Sequence, residues 1–420
     1  MSALEKAKQA GRETTVEKIR QSGLKEFGFY AENLADKIER IQAEHTEYDG
    51  PLMAAGALNN EVTKQMLLFL AEEMPEKVLD GLSVLSYLVG ASISILYVPE
   101  GRDELRNMLK QKAEKLGVSV QIEEGIADVR HLRGSIISHI ETLAALSDVV
   151  EECYEPGTYV CIKIKSAVDT EYKTTYQTEC MDPVFVPYGT KPASLIPEDL
   201  EGIKAVKIGS HLYDPSVLDV EITDETDLGN GVITIFTDRC CMIAASEEQL
   251  LEKRKASCGK CTFCREGLGQ LYTRIHEITI GKGDFAGLDI MKELGEAMPF
   301  SSLCSLGQRG ADFTIDTLRL FPEEYEAHIK KRKCPSGQCA AFINMYIDPS
   351  ACTGCGKCIP SCPVDCIEGL PGYIYMIEDI DCTKCGKCME ACEENAIIRT
   401  EKRVPSLPDR LTRVGRFKRY

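Results

Sequence analysis

Apolar residues recur every three to four positions over about the first 48 residues, which predicts helices there. From about 61 to 117, helical patterns alternate with short β-branched runs. MLLFLAEEM and VLDGLSVLSYL predict helices, ISILYV and VSVQI predict strands, and ELRNMLKQKAEKLG predicts a helix between those strands. Because a strand, a crossover helix and a second strand form a βαβ unit, we expect a parallel sheet in this part of the chain.

The pattern changes to strands after Gly157. TYVCIKIKSAV, TEYKTTYQT and KAVKIGSHL have the alternation that is typical of strands, and VITIFT follows as a short apolar strand. EEQLLEKRK then begins a series of helical patterns that continues to about Lys331. The order of these patterns predicts an α/β protein of several domains.

Composition and charge exclude several functions. A net charge of -17 argues against nucleic acid as a partner, because phosphate binding requires a basic surface. The longest apolar stretch, 78–98, is interrupted by Asp80, Gly81 and Gly90, so we expect no membrane span. The polar N-terminal stretch does not resemble a signal peptide, and we expect a cytoplasmic protein. Only the tail from Glu401 to Tyr420 is basic, which is typical of a solvated tail or of a docking arm for an acidic partner.

Eight of the 20 cysteines form two matching runs near the C-terminus, both with the spacing C-x2-C-x2-C-x3-C. Runs of this spacing hold iron–sulfur clusters, and in two-cluster ferredoxins the fourth cysteine of each run binds the other cluster. We therefore predict two [4Fe-4S] sites. The first uses Cys352, Cys355, Cys358 and Cys392, and the second uses Cys382, Cys385, Cys388 and Cys362.

Structural zinc and a disulfide framework are the alternatives for these two runs. Zinc ligands usually come as two pairs, and disulfide frameworks are typical of short secreted chains. Neither accounts for two repeated four-cysteine runs. Cys366 stands where the second run has Ala396, and we interpret it as a packing residue.

A third cysteine group lies in the predicted helical region. Cys258, Cys261 and Cys264 form C-x2-C-x2-C, and Cys304 follows forty residues later. Three thiolates at the start of a helix with a distant fourth suit another [4Fe-4S] cluster, with zinc as the alternative. Arg265 stands beside this group, where its charge would raise the reduction potential of a cluster.

SCGKCTFCREG followed by SLCSLG resembles the NADH-oxidising flavoprotein subunit of respiratory complex I. CPSGQC and the double ferredoxin run make the chain more closely similar to the β subunit of NAD-linked, electron-bifurcating [FeFe]-hydrogenases. The resemblance is specific from about Gly229 to Thr400. It implies a Rossmann-like flavin domain, a β-grasp module, a helical bundle with one Fe-S cluster and a C-terminal two-cluster ferredoxin domain.

The predicted domain boundaries follow this order. They are 1–150 for the Rossmann-like domain, 151–225 for the β-grasp-like module, 226–331 for the bundle, 332–347 for a metal-binding hinge, 348–400 for the ferredoxin and 401–420 for the basic tail.

The flavin loops of the family are altered in this chain. The glycine-rich FMN and NADH loop of the family begins Ser-Gly-Leu and continues with five more glycines or alanines. Here Ser22-Gly23-Leu24 is followed by Lys25-Glu26-Phe27-Gly28-Phe29-Tyr30-Ala31. Glycines let backbone N–H groups approach phosphate, whereas the three aromatic rings would obstruct it and Glu26 would repel it.

A second family loop, which is acidic and glycine-containing, corresponds to 54–61, where most of those residues are replaced. We therefore expect the scaffold of the flavin domain without FMN or NADH. The alternative, in which the altered loops still hold FMN, stays open.

The resemblance also implies a metal site at the hinge. Relatives place a zinc-type site there with one histidine and three cysteines, which correspond to Cys241, His328, Cys334 and Cys339. A Cys3His set is typical of a closed structural zinc site. Buried free thiols and a [2Fe-2S] cluster are the alternatives.

The favoured function is a subunit that passes single electrons through three [4Fe-4S] clusters in a cytoplasmic multi-subunit oxidoreductase. Expected partners are flavin-containing, molybdenum-containing or hydrogenase-type subunits and ferredoxin, in a hetero-oligomer. The alternatives are an FMN-containing NAD(P)H dehydrogenase subunit of a bifurcating complex and an iron–sulfur sensor. No hydrolytic constellation is present in the sequence.

Overall fold

The computed structural model describes residues 1–27, 31–46, 51–57, 65–125, 135–168, 177–180, 182–196, 200–229 and 231–417. Its first part is a parallel α/β layer. The elements are α1 (Ala3–Ala10), α2 (Arg12–Ser22), α3 (Leu34–Thr46), β1 (Met53–Ala57), α4 (Gln65–Glu73), α5 (Pro75–Val89), β2 (Ile93–Val98), α6 (Asp103–Leu116), β3 (Gln121–Glu124), β4 (Ser135–His139) and α7 (Ile140–Glu151).

The four strands of this part are parallel in the order β3-β2-β1-β4, which confirms the predicted parallel sheet. This is the order of the first strands of a doubly wound nucleotide-binding sheet, with the topological switch point between β1 and β4. One strand begins later in the chain than predicted. The strand was expected at VSVQI, but β3 begins at Gln121. The Val118 amide instead closes the end of α6, because it donates to the Ala113 carbonyl at 3.1 Å.

The second part is a β-rich sheet. Its strands are β5 (Cys161–Val168), β6 (Gln177–Cys180), β7 (Val184–Phe185), β8 (Ile203–Ile208), β9 (His211–Tyr213) and β10 (Val232–Thr237). The order is β6-β5-β10-β8-β9, with β7 paired to β5. Of the strand predicted at TEYKTTYQT, residues 170–176 lie outside the described residues.

The position of β10, the last strand of this sheet, disagrees with one predicted domain boundary. β10 runs parallel to β5 and antiparallel to β8, so it lies at the centre of this sheet. A boundary at 225/226 therefore cuts through the sheet, which extends to Thr237. Sequence alone did not reveal this, because the pairing joins strands that are about 70 residues apart. The β-grasp assignment itself stays a prediction.

The third part is helical. It consists of α8 (Met242–Ala256), α9 (Thr262–Thr279), α10 (Phe285–Ser301), α11 (Ser305–Gln308), α12 (Asp312–Leu320) and α13 (Pro322–Ile329). Several polar contacts attach it to the sheet, among them one at each of two sheet residues. His211 Nδ1 lies 2.9 Å from the Asp316 carboxylate, and the Lys204 ammonium pairs with Glu324 of α13.

The C-terminal part contains β11 (Asn344–Ile347), β12 (Ile367–Glu368), β13 (Met376–Ile377), α14 (Lys387–Glu390) and β14 (Ile397–Thr400). β11 pairs with β14 and β12 with β13, both antiparallel. The described part of the basic tail packs back on this unit, where the Ile374 amide donates to the Thr412 carbonyl at 2.9 Å. Within the described ranges, no helix is both long and apolar enough to cross a membrane.

Candidate iron–sulfur and metal sites

The two ferredoxin runs line two separate cavities. One cavity is lined by Cys352, Cys355, Cys358 and Cys392, together with Tyr375 and Glu394. We call it the first site. Cys392 comes from the second run, so the structure brings together the interleaved set that the spacing predicted. Four thiols that converge on one cavity have the donor chemistry of an iron–sulfur cluster.

The other cavity is lined by the second predicted set and by a fifth cysteine. We call it the second site, and the cysteines that line it are Cys362, Cys382, Cys385, Cys388 and Cys366. Cys366 is buried in the core of this unit, as a packing residue would be. Its Sγ atom also lies 3.5 Å from Cys362 Sγ. Sequence reasoning missed this contact, although its signal was present in the mismatch between Cys366 and Ala396.

The bundle cysteines gather at the starts of two helices. Cys261 directly precedes α9 and Cys304 directly precedes α11. Burial raises the pKa of Cys264, and Cys304, Cys261 and Cys258 raise it further, so these three thiols lie within electrostatic reach of Cys264. Cys264 is buried and Cys258 is exposed. This donor set also suits a cluster, with one edge towards the surface.

Arg265 has a different environment from the one expected. Its guanidinium donates to the Gly259 carbonyl at 2.9 Å and pairs with Glu266 at 2.8 Å. Glu266 therefore offsets much of the charge that was expected to raise a cluster potential.

Cys241, His328, Cys334 and Cys339 form a buried cluster at the end of the bundle. Their ligand atoms all lie within 4.8 Å of one another. Cys241 Sγ is 3.7 Å from Cys339 Sγ and 3.5 Å from His328 Nε2. The other ring nitrogen, His328 Nδ1, lies 2.7 Å from the Glu324 carbonyl, which directs Nε2 towards the thiols.

These distances fit one tetrahedral ion. Zn–S bonds of about 2.3 Å place two sulfurs of a tetrahedral site about 3.8 Å apart. A [2Fe-2S] cluster places ligands on two irons and so needs a wider separation than this set shows. Hydrogen bonds from Cys241 and Cys339 lower the pKa of Cys334, which favours the thiolate form that binds a cation.

Glu26 lies at the switch point of the parallel sheet. Its carboxylate accepts hydrogen bonds from the His139 amide at 2.9 Å, Ser138 Oγ at 2.9 Å and Thr142 Oγ1 at 2.7 Å, and it pairs with Lys37 Nζ at 2.7 Å. Burial by itself raises the pKa of Glu26, but Lys37 and His139 outweigh burial and the pKa is lowered.

His139 directly precedes α7, so the carboxylate occupies the helix N-terminus at the edge where nucleotide-binding folds hold phosphate. Sequence reasoning expected Glu26 to repel phosphate. In the structure its carboxylate accepts the hydrogen bonds that the His139 amide and Thr142 Oγ1 offer at the start of α7. Gly28, Phe29 and Tyr30, and residues 58–61 of the second altered loop, lie outside the described residues.

A cavity remains next to Glu26, between the parallel layer and the β-rich sheet. It is lined by Phe27, Glu141, Tyr154 and Tyr188 among others. Glu141 is 5% exposed, and its Oε2 atom has no hydrogen-bond partner among the described residues. Burial, with a contribution from Glu26, raises the pKa of Glu141 to about 8. Glu141 is therefore uncharged at neutral pH.

Comparison with known proteins supports the iron–sulfur assignments. Residues 251–328 match the NADH-ubiquinone oxidoreductase-F iron-sulfur binding region, and residues 351–397 match the 4Fe-4S dicluster domain. The first match contains the four bundle cysteines, and the second contains the two ferredoxin runs. The fold is similar to the crystal structure of an NAD+-reducing [NiFe]-hydrogenase in the H2-reduced state, with a TM-score of 0.61 at 18% identity over 78% of this chain and 64% of that chain.

Two relatives share part of the sequence. The NADP-reducing hydrogenase subunit HndC of Solidesulfovibrio fructosivorans is 41% identical over 142 residues, which is 34% of this chain and 29% of the relative. The NADH-quinone oxidoreductase F subunit of Streptomyces coelicolor is 35% identical over 108 residues, or 26% of this chain and 24% of the relative. The matched stretch thus spans less than a third of either relative.

The chain therefore contains two iron–sulfur binding regions. More particularly, it resembles the NADH-oxidising flavoprotein subunit of complex I and the corresponding subunits of NAD(P)-linked hydrogenases, as its motifs predicted.

Proposed function

We propose that this chain relays single electrons through three [4Fe-4S] clusters as a subunit of a multi-subunit cytoplasmic oxidoreductase. The observation that carries the proposal is the convergence of Cys352, Cys355, Cys358 and Cys392 on one cavity while the complementary set lines another. The bundle set of Cys258, Cys261, Cys264 and Cys304 supplies the third site. Each bound cluster would supply a one-electron redox couple, and the surrounding residues set its potential.

The proposed electron donor is a partner subunit rather than NADH bound to this chain. Glu26 supports this part of the proposal, because its carboxylate already uses the donors at the start of α7 that a flavin phosphate would require. Flavin-containing, molybdenum-containing or hydrogenase-type subunits are the proposed partners, with ferredoxin as a further one. The names of the relatives, which are hydrogenase and quinone oxidoreductase subunits, support a hetero-oligomer.

The proposed role of the Cys241, His328, Cys334 and Cys339 set is structural zinc. Its full burial and its fit to a single tetrahedral ion support this role, since a closed site leaves no position for a substrate. The set lies at the joint between bundle and ferredoxin. Arg399 reaches across that joint and donates to the Gly337 carbonyl at 2.7 Å. Zinc would therefore hold the two electron-carrying parts in a fixed relation.

The alternative function is an FMN-containing NAD(P)H dehydrogenase subunit. The cavity beside Glu141 favours it, because a space remains close to the switch point of the sheet. In this alternative the phosphate of the flavin would need donors other than those that Glu26 occupies.

Anaerobic reduction separates the two functions. The purified chain with its clusters is mixed with NADH or NADPH, and the visible absorbance of the clusters is followed, with dithionite as the positive control. We expect bleaching by dithionite and none by the nicotinamides. Rapid bleaching by NADH, together with flavin fluorescence after acid release, would establish the alternative instead.

A further inference from the structure

The two ferredoxin sites differ by one sulfur atom placed next to a ligand. At the first site the Ala396 amide donates to Cys392 Sγ at 3.4 Å, and at the second site the Cys366 amide donates to Cys362 Sγ at 3.4 Å. The backbone contact is therefore the same in both halves. Only the second half adds a thiol, whose Sγ lies 3.5 Å from the same ligand sulfur.

The direction of this S–H bond follows from the chemistry of the pair. A cysteine that binds iron does so as a thiolate and has no proton to donate. A neighbouring thiol that holds no iron keeps its proton at neutral pH. Cys366 must therefore be the donor and Cys362 the acceptor. Cys366 is 5% exposed, so water does not compete freely for this bond.

Hydrogen bonds to the sulfurs of a cluster raise its reduction potential, because they stabilise the extra negative charge of the reduced form. We propose that Cys366 raises the reduction potential of the cluster held by Cys362, Cys382, Cys385 and Cys388, and that the first site lacks this contribution because Ala396 replaces the thiol. The inference rests on the proposed function, in that both sites must hold a [4Fe-4S] cluster.

The charged residues in the two linings also differ. Glu394 lines the first site, whereas Val364, at the matching position of the other run, lines the second. A carboxylate beside a cluster disfavours the added electron, and a valine does not. Lys357 also lines the first site, and its positive charge acts in the opposite direction to that of Glu394. Tyr375 at the first site has no tyrosine counterpart in the lining of the second, so the contribution of Cys366 is best isolated by substitution.

The test is an EPR-monitored redox titration of the complete chain with its clusters, comparing the natural sequence with Cys366→Ala. One ferredoxin component should shift to lower potential. We expect about a threefold change in its ratio of reduced to oxidised cluster, which is about 30 mV for a one-electron couple. The bundle signal and the first-site signal should not move, and the iron content should stay the same.

Two further variants distinguish an effect of the thiol donor on the reduction potential from an effect of altered packing. Cys366→Ser keeps a donor beside Cys362 and should retain most of the natural potential. Ala396→Cys places a thiol at the first site and should raise the potential of the other component. An unchanged potential in Cys366→Ala would overturn the proposal, and so would the loss of about four irons, which would make Cys366 itself a ligand. Absence of ferredoxin-type signals from the natural protein would instead contradict the proposed function.

Discussion

Glu26 places a buried carboxylate at the N-terminus of α7, at the carboxyl edge of the parallel sheet. Its carboxylate has four polar partners, and its side chain is 2% exposed. A buried ion pair whose remaining acceptor positions are also hydrogen-bonded is costly to break, because the partner is left charged in an apolar environment. Glu26 therefore holds β4, α7 and α3 together.

Replacing Glu26 by Gln should destabilise this region strongly. Lys37 would lose its charged partner, with an expected cost of roughly 3 kcal/mol. Hydrogen–deuterium exchange of the amides at the β4–α7 junction should become roughly 100-fold faster. Glu32→Gln is the matched control, because the Arg40–Glu32 pair is much more exposed to solvent and should change exchange very little. Equal effects of the two variants would contradict this role of Glu26.

The raised pKa of Glu141 predicts that the stability of the fold depends on pH. Its pKa is raised from 4.5 to about 8 in the folded chain, so the folded state holds a proton that the unfolded state has lost between these values. The stability contributed by neutral Glu141 is therefore complete below about pH 4.5 and is lost as the pH rises to about 8. Glu141→Gln removes this loss and should raise the stability by roughly 4 kcal/mol at pH 8 and by only about 1 kcal/mol at pH 5.

Thermal unfolding at both pH values checks this prediction. Glu104→Gln on the exposed surface of α6 serves as the control and should show no pH-dependent gain. A Glu141→Gln variant that is no more stable than the natural chain at pH 8 would contradict a buried neutral carboxyl.

At the scale of elements, the sequence predicts most helices and the parallel sheet because their signals are local. α5 and β2 follow directly from the periodicity of the apolar residues and from Gly90 between them. β10 could be predicted as a strand, but its place at the centre of the β-rich sheet depends on pairing with the distant β5. The cysteine sets are predictable from spacing, whereas the Cys366–Cys362 contact depends on the fold of the loop between them.

The proposed zinc site at the joint between bundle and ferredoxin predicts the effect of removing one of its ligands. Cys334→Ser should release about one zinc per chain and make the segment 332–347 more sensitive to protease, because the metal supplies part of the folding free energy of the joint. Cys240→Ser is the matched control, since Cys240 is also fully buried and adjacent to Cys241 but lies outside the ligand set. Zinc analysis by native mass spectrometry, with limited proteolysis, reads out both effects. Retention of zinc by Cys334→Ser would remove Cys334 from the site.

At the scale of the whole molecule, the bundle site and the pair of ferredoxin sites belong to separate cores. Buried apolar residues form distinct clusters in the parallel layer, the β-rich sheet, the bundle and the ferredoxin unit. The bundle cysteines contribute to one of these clusters and the ferredoxin cysteines to another. Loss of the bundle cluster should therefore leave both ferredoxin clusters in place.

Cys304→Ala tests this independence. It should remove the bundle cluster, with a loss of about four irons, while both ferredoxin signals remain in the EPR spectrum. Cys153→Ala, an exposed cysteine away from the predicted sets, should retain all iron. Disappearance of the ferredoxin signals from Cys304→Ala would mean that the cores are not independent.

The central claim is that this chain carries electrons through three clusters without a flavin of its own. Quantitative iron and flavin analysis of the anaerobically purified chain tests it most directly. The account predicts about twelve irons and no stoichiometric flavin per chain. One FMN per chain, or an iron content near eight or below, would contradict it.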